Sequence, residues 1–183
     1  MKKVIVPLAM GFEEIEAVSI IDVLRRADIH VESTSVTGKI SVTGSHQITL
    51  VADSLIEDVD SGEVEMVVLP GGMPGSKNLN EHEVLKEMIL QTHNSGKPVG
   101  AICAAALVLG QMGLLNGKEA TCYPGFEKYL TGAIPTGRPV VVSGNIVTGK
   151  GAGVAIGFAL KVVELLKGKP TADALSVKLV ADN

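Results

Sequence analysis

The apolar run Pro98–Ile102 is followed by Cys103 and an alanine-rich stretch, 104–109, and this junction constrains the fold more than any other part of the sequence. It predicts a buried strand that breaks into a helix at a single residue, Cys103. Ala104 and its neighbours are small, as a sharp elbow requires. At a helix start, free N–H groups and the macrodipole favour thiolate over thiol. The alternative is a buried cysteine that acts only as a small hydrophobic residue.

Strand and helix patterns alternate along the rest of the chain. Apolar β-rich runs predict buried strands at 4–8, 30–37, 66–69 and 98–102. Amphipathic periodicity predicts helices at 13–26, 81–93, 151–167 and 170–180. Gly38 and Gly44 bracket a short hairpin segment at 40–42, and 48–51 is a candidate for another strand. The turn Ser143–Asn145 predicts a hairpin between 140–142 and 146–148. The alternation predicts an α/β sandwich, doubly wound around a mostly parallel sheet.

Composition excludes several classes of function. Aromatic residues make up only 3% of the chain, so the core must be aliphatic, which suits a parallel sheet covered on both faces. A net charge of −4 without a basic cluster predicts no nucleic-acid partner. No apolar run approaches the ~20 residues of a membrane span, so no membrane association is expected.

The two cysteines, Cys103 and Cys122, have no metal-binding spacing and form no disulfide framework. This pattern predicts a reducing, cytoplasmic setting, with no metal and no cofactor. The length of 183 residues predicts one domain over 1–183.

Three turns that follow strands are candidates for one shared crevice. They are 9–16 after the first strand, 70–75 after the run 66–69, and the elbow at Cys103. In doubly wound sheets, ligands bind beyond the carboxyl ends of the strands. We therefore expect the three turns to meet at one edge of the sheet.

Glu16 is the carboxyl group that we expect inside this crevice, because Ile15 and Val18 flank it on the first helix. Beside a thiolate its pKa would be raised, so that it could hold a proton to share. Glu13 and Glu14 are expected to stay solvated and to complement the helix dipole.

The turn Leu69–Gly75 is rich in glycine, and its N–H groups could line an oxyanion hole that faces Cys103. The alternative is a plain turn with glycines at positive φ. A second glycine-rich segment, 149–153, lacks the full dinucleotide fingerprint and predicts a close backbone approach beside the site. None of the four histidines belongs to a motif, and each is expected at the surface.

The segments Gly11–Glu16, Leu69–Gly72 and Ala101–Ala104, in that order and spacing, resemble the ThiJ/PfpI superfamily, and most closely its DJ-one branch. The resemblance extends through Asp22–Ala27 and Gly157–Leu160 and covers the whole chain. It implies a single domain of the glutamine-amidotransferase class I-like type. The implied fold is a flavodoxin-like three-layer sandwich with a nucleophile-elbow cysteine, and the implied assembly is a homodimer.

The same resemblance implies roles for individual residues. Cys103 matches the family nucleophile, and Glu16 matches its protonated glutamate partner. Gly71 and Gly72 match the oxyanion-hole glycines, with the N–H of Ala104 alongside.

Tyr123 stands where many relatives carry a histidine. Because tyrosine has a pKa near 10, a hydrolytic Cys-His-acid triad is not expected. Lys150 stands where close relatives often carry arginine, which predicts weaker anion binding at the mouth of the site. Tyr123, Lys150, Cys122 and Glu13 are the candidate neighbours of the site, although Cys122 alone reads as a semi-buried free thiol.

The leading functional hypothesis is a cofactor-independent enzyme that converts methylglyoxal or glyoxal to lactate or glycolate through Cys103 and Glu16. Deglycation of early adducts on glycated proteins is the same chemistry with a larger substrate. The alternative is an oxidative-stress sensor or redox-regulated chaperone that works by oxidation of Cys103. A cysteine peptidase ranks last because the histidine is missing.

Overall fold

The computed structural model describes residues 2–181 and builds the chain around one seven-stranded sheet. The strands, in chain order, are β1 (Lys3–Leu8), β2 (Val31–Ser35), β3 (Ser41–Thr43), β4 (Thr49–Val51), β5 (Ser54–Leu55), β6 (Val64–Leu69), β7 (Val99–Ile102), β8 (Glu119–Ala120), β9 (Ile134–Pro135), β10 (Val140–Ser143) and β11 (Ile146–Gly149). The helices are α1 (Glu14–Arg26), α2 (Gly75–Glu81), α3 (Glu83–Asn94), α4 (Ala106–Gln111), α5 (Ala155–Lys167) and α6 (Lys169–Leu179).

The central sheet has the order β10-β11-β7-β6-β1-β2-β5. Its pairs are parallel except for β10, which is antiparallel to β11. The predicted doubly wound α/β architecture is therefore confirmed. Two small two-stranded sheets lie apart from it, the antiparallel β3–β4 hairpin and the parallel pair β8–β9.

Helices cover both faces of the sheet. One aliphatic core joins the sheet to α1, α5 and α6, and the other joins it to α2, α3 and α4. Strand β6 shows why the sequence folds this way, because its apolar residues alternate between the two cores and are almost all buried. No helix among residues 2–181 combines the length and the apolar character needed to cross a bilayer.

Two predicted helices have different bounds. The segment 81–93 was expected as one helix, but the chain breaks at His82, which ends α2 and caps α3 by accepting the N–H of Leu85 at 3.4 Å. The helix expected from 151 begins only at Ala155, after a 3-10 turn at Ala152–Val154. Gly168, with φ of +86°, ends α5 as predicted.

The strand order brings the three predicted turns together at one edge of the sheet. β7, β6 and β1 are neighbours, and Leu69 at the end of β6 pairs with Ala101 near the end of β7. The order of connection reverses between β1 and β6, because β2 lies on one side of β1 and β6 on the other. This reversal is where ligands bind in open α/β sheets.

Candidate active site

Cys103 is the first residue after β7, at the elbow that the sequence predicts. It opens a 3-10 turn, Cys103–Ala105, that leads directly into α4. Its φ is +61°, a left-handed conformation that non-glycine residues rarely adopt. Strain of this kind concentrates at functional sites, and here it directs a half-buried thiol out of the sheet edge.

Glu16 lies in the first turn of α1 and points inward, as the sequence predicts. The side chain is completely buried. Its Oε2 accepts the N–H of Gly71 at 2.7 Å. Its Oε1 has no hydrogen-bond partner among the described residues. A buried oxygen without a donor favours the protonated acid, in which that oxygen carries the hydrogen.

Gly71 is required because the two functional side chains close on it from both sides. A Cβ at residue 71 would lie 2.6 Å from Glu16 Oε2 and 2.7 Å from the Cβ of Cys103. Real side chains do not tolerate such distances, so a larger residue would push the acid and the thiol apart. Gly72 has φ of +91° and likewise no room for a side chain, because the backbone of residues 11–13 packs against it.

Burial raises the pKa of Glu16 to about 7. The N–H of Gly71 and the Cys103 thiol act in the opposite direction, and the negative charge of Glu13 raises the pKa further. A carboxyl group with this pKa exchanges its proton near neutral pH, which suits a general acid and base.

The pKa of the Cys103 thiol differs from the prediction of a lowered value. Burial raises it to about 12, and the charge of an ionised Glu16 raises it as well. The N–H groups of Ala104 and Gly72 act to lower it, as a helix start should, but burial outweighs them. The N–H groups follow from the local sequence, whereas the desolvation depends on the folded surroundings.

The acid and the thiol must therefore be treated as a pair that shares protons. When Glu16 is protonated, its charge no longer disfavours the thiolate, and a neutral carboxyl group can donate a hydrogen bond to sulfur. The first proton to leave the pair near pH 7 then creates the reactive anion, on oxygen or on sulfur.

The three residues predicted for the oxyanion hole play two different roles. The N–H groups of Gly72 and Ala104 both face Cys103 and favour negative charge there. The N–H of Gly71 is already engaged by Glu16. Gly71 therefore holds the acid, and Gly72 and Ala104 provide the donors near the sulfur.

The other candidate neighbours of the site do not all lie on the same side of the sheet as Cys103. Tyr123 donates its N–H to the Cys103 carbonyl at 3.3 Å, and its ring, half exposed, lies beside Gly151 near the sulfur. Lys150 is half-buried in the same loop, and its N–H binds the carbonyl of Pro139. The side chain of Cys122 is buried in the core formed with α2, α3 and α4, whereas Cys103 packs against the other core.

The prediction that Glu14 stays solvated is wrong. Its carboxylate is buried, because it accepts the N–H groups of His46 at 2.6 Å and Ile48 at 3.3 Å. Burial alone would raise the pKa of Glu14, but hydrogen bonds from the His46 ring and from these N–H groups lower it to about 2. A Cβ at Gly44 would collide with the same carboxylate, so this glycine allows the tip of the β3–β4 hairpin to close on α1.

Glu13 is also mostly buried rather than solvated, and it meets the same hairpin tip. Its Oε2 lies 3.4 Å from the Ser45 hydroxyl and 3.6 Å from His46 Nδ1. We call Glu13, Glu14, Ser45 and His46 the hairpin cluster. Ser45 and His46 are part of the site region that the sequence does not predict, and Gly44 before them is the only local signal.

Comparison with known proteins identifies what this arrangement resembles. A model of the DJ-1/PfpI family matches residues 2–165. A solved structure of oxidized DJ-1 from Toxoplasma gondii has a TM-score of 0.96 and 38% sequence identity, and the alignment covers 100% of both chains.

Curated relatives point to the same family. Protein DJ-1 homolog B of Arabidopsis thaliana is 41% identical over 181 residues, covering 98% of this chain and 41% of that protein. The chain therefore spans about two fifths of that relative. The glutathione-independent glyoxalase DJR-1.2 of Caenorhabditis elegans is 34% identical over 165 residues, covering 89% of this chain and 87% of that protein.

Replacing Glu16 with glutamine should stabilise the protein at pH 8 but not at pH 4. Unfolded Glu16 ionises near its ordinary pKa of 4.5, whereas the folded protein keeps the proton to about pH 7. Its destabilising effect therefore grows from pH 4.5 to 7 and is complete above 7, reaching about 3 kcal/mol at most. Urea unfolding followed by circular dichroism at pH 4, 6 and 8 measures the difference.

The matched control is Glu87→Gln on the exposed face of α3. We expect its effect on the free energy of unfolding to be small and the same at all three pH values. A Glu16→Gln protein whose stability relative to wild type does not change with pH would contradict the raised pKa.

Proposed function

The chain belongs to the DJ-1/PfpI family, and from that premise we propose that it is a cofactor-independent enzyme that acts on small dicarbonyl compounds through Cys103 and Glu16. One observation carries the proposal. A completely buried carboxyl group with a pKa of about 7 lies against a thiol on a strained elbow. The glyoxalase name of the Caenorhabditis elegans relative supports the same reaction class.

The proposed reaction begins when the sulfur of Cys103 adds to the aldehyde carbon of methylglyoxal. The carbonyl oxygen takes the proton of Glu16, so a hemithioacetal forms and Glu16 is left as the carboxylate. The N–H groups of Gly72 and Ala104 stabilise the negative oxygen during the addition. Both N–H groups act on the Cys103 sulfur, and the negative oxygen develops on the carbon that bonds to this sulfur.

Glu16, as the carboxylate, then removes the proton from the former aldehyde carbon to give an enediolate. It returns the proton to the neighbouring carbon, and the product is a thioester of lactate on Cys103. Water hydrolyses the thioester, releasing lactate and the free thiol. The net reaction adds one water to methylglyoxal and needs no external oxidant or reductant.

The chemistry of this proposal needs no histidine, which agrees with Tyr123 at the family histidine position. Glu16 supplies both proton transfers because its pKa lies near neutral pH. The half-exposed mouth at Tyr123 would also admit early adducts on protein side chains, so deglycation is the same proposal with a larger substrate.

Oxidation of Cys103 is the second candidate function, either as a sensor of oxidative stress or as the switch of a chaperone. The solved Toxoplasma gondii relative is described as oxidized, which is the observation that favours it. In this chain the N–H groups of Gly72 and Ala104, with a protonated Glu16, would stabilise a sulfinate. Both cysteines are free thiols, and we place the protein in the reducing cytoplasm.

We further propose that the functional unit is a homodimer. Four large apolar side chains on α1 and the β3–β4 hairpin are at least 45% exposed: Ile15, Val18, Ile48 and Val51. They lie on neighbouring elements beside the hairpin cluster, and a second copy would remove them from water.

Lactate production tests the enzyme proposal directly. We expect wild type and Cys122→Ser to form D-lactate from methylglyoxal without glutathione, with rates that rise through pH 7. Cys103→Ser and Glu16→Gln should lose at least about 100-fold. Cys122→Ser is the matched control, since that thiol lies in the other core. Equal rates in all four proteins would eliminate the proposal.

Mass spectrometry after mild peroxide treatment tests the oxidation proposal. At pH 8, where the pair of Glu16 and Cys103 has lost its first proton, Cys103 should gain two oxygen atoms well before Cys122. Cys122 is buried, which keeps its thiol away from the reagent, whereas Cys103 is only half-buried. Equal oxidation of the two cysteines would remove the basis for a sensor.

Sedimentation tests the homodimer. Val51→Lys should convert a dimer to a monomer, because it places a charge on the exposed apolar face. Val177→Lys on α6 is the matched control, with a valine that is even more exposed. The proposal fails if the wild type sediments as a monomer or if the two variants behave alike.

A further inference from the structure

The main chain of Glu13, in the hairpin cluster, is connected to Glu16 through a single residue, Gly71. The N–H of Glu13 donates to the carbonyl of Gly71 at 2.8 Å. The N–H of Gly71 donates in turn to Glu16 Oε2 at 2.7 Å. Gly71 is therefore held by Glu13 on one side and holds Glu16 on the other. Because the charge of Glu13 also acts on Glu16, the position of the Glu13 carboxylate matters at the acid.

His46 is the cation nearest to Glu13 at the hairpin tip. A hydrogen bond to the Glu14 carboxylate, and then the charges of Glu13 and Glu14, raise the pKa of His46 above its ordinary 6.5. These carboxylates on α1 are the charged groups that face it, and on its own turn it meets only the neutral Ser45 hydroxyl, at 3.1 Å. The ring is 68% exposed, so it exchanges protons freely with solvent.

The two protonation states of His46 differ in what they offer to Glu13. A neutral ring with hydrogen on Nδ1 can keep its 2.9 Å contact with Glu14. Only the charged ring also attracts Glu13, whose Oε2 lies 3.6 Å away. Loss of the proton therefore leaves Glu13 with the Ser45 hydroxyl alone at the hairpin.

We propose that His46 is a positioning residue that controls proton release from Glu16 through Glu13, an inference that rests on the proposed role of Glu16 as acid and base. Charged His46 draws the Glu13 carboxylate toward the hairpin and offsets its negative charge, so Glu16 ionises more easily. Neutral His46 leaves Glu13 unopposed, so Glu16 keeps its proton to higher pH.

The pH window follows from the sign of the shift. Because folding raises the pKa of His46, its ion pair is fully formed below pH 6.5 and is lost as pH rises through the folded value. This window adjoins the pKa of about 7 for Glu16. Charged His46 thus keeps part of Glu16 ionised at lower pH. Without it, the carboxyl group would hold its proton there and could not act as a base.

Two substitutions should move the pKa of Glu16 in opposite directions, by about half a pH unit each. His46→Gln should raise it, and Glu13→Gln should lower it. His46→Lys, which keeps a permanent cation, should not raise it. The probe is the infrared carbonyl stretch of protonated Glu16, assigned by its loss in Glu16→Gln and titrated in chelator-treated protein. The chelator is needed because Glu13, Glu14 and His46 offer metal-ligand atoms within 4.8 Å of one another.

His82→Gln is the matched control, since His82 faces a carboxylate of its own, Glu57, at 3.3 Å. It should leave the pKa of Glu16 unchanged. A reciprocal measurement uses the native hairpin cluster: in Glu16→Gln, the pKa of His46 measured by NMR should fall, because coupling between two sites is mutual. That measurement keeps the proposal testable if a hairpin variant fails to fold.

An unmoved pKa of Glu16 in His46→Gln and Glu13→Gln would overturn the inference, and so would shifts of the same sign or an unmoved His46 in Glu16→Gln. Lactate assays on the same samples separate the two proposals. Expected shifts without lactate production contradict the enzyme and leave the coupling intact. Lactate production with an unmoved pKa of Glu16 supports the enzyme and contradicts the coupling.

Discussion

One buried carboxyl group with a single hydrogen-bond donor is the constraint on which the site depends. Removing Glu16 from water is costly, and the Gly71 N–H offsets only part of that cost, so the group keeps a proton to near neutral pH. The buried position of Glu16 exists because β6 and β7 end side by side. Their turns leave room for Glu16 only if residue 71 has no side chain.

The elbow and the buried acid act on the sulfur in opposite directions. A thiol at a helix start would ionise easily in the open, as the N–H groups of Gly72 and Ala104 show. Burial reverses this balance, and the charge of an ionised Glu16 adds to the effect. Reactivity therefore belongs to the pair and not to Cys103 alone.

The sequence predicts those parts of the molecule that are encoded locally. β1, the β3–β4 hairpin and the elbow at Cys103 each follow from periodicity or small residues within one short stretch. Helix α2 was missed because Gly75–Glu81 has little apolar periodicity and is held by the burial of Leu79. The burial of Glu14 depends on contacts with His46, 32 residues away, which no local pattern records. The homodimer, the single-domain organisation and the roles of individual site residues remain predictions.

The placement of the two cysteines sets the fate of an oxidised Cys103. Its side chain packs against the core of α1, α5 and α6, and Cys122 packs in the opposite layer. The sequence holds no third cysteine. A sulfenic acid at Cys103 thus has no resolving thiol within its own layer, and repair must come from an external reductant such as a small thiol. Without such a reductant, oxidation of Cys103 would continue from the sulfenic acid to the sulfinate.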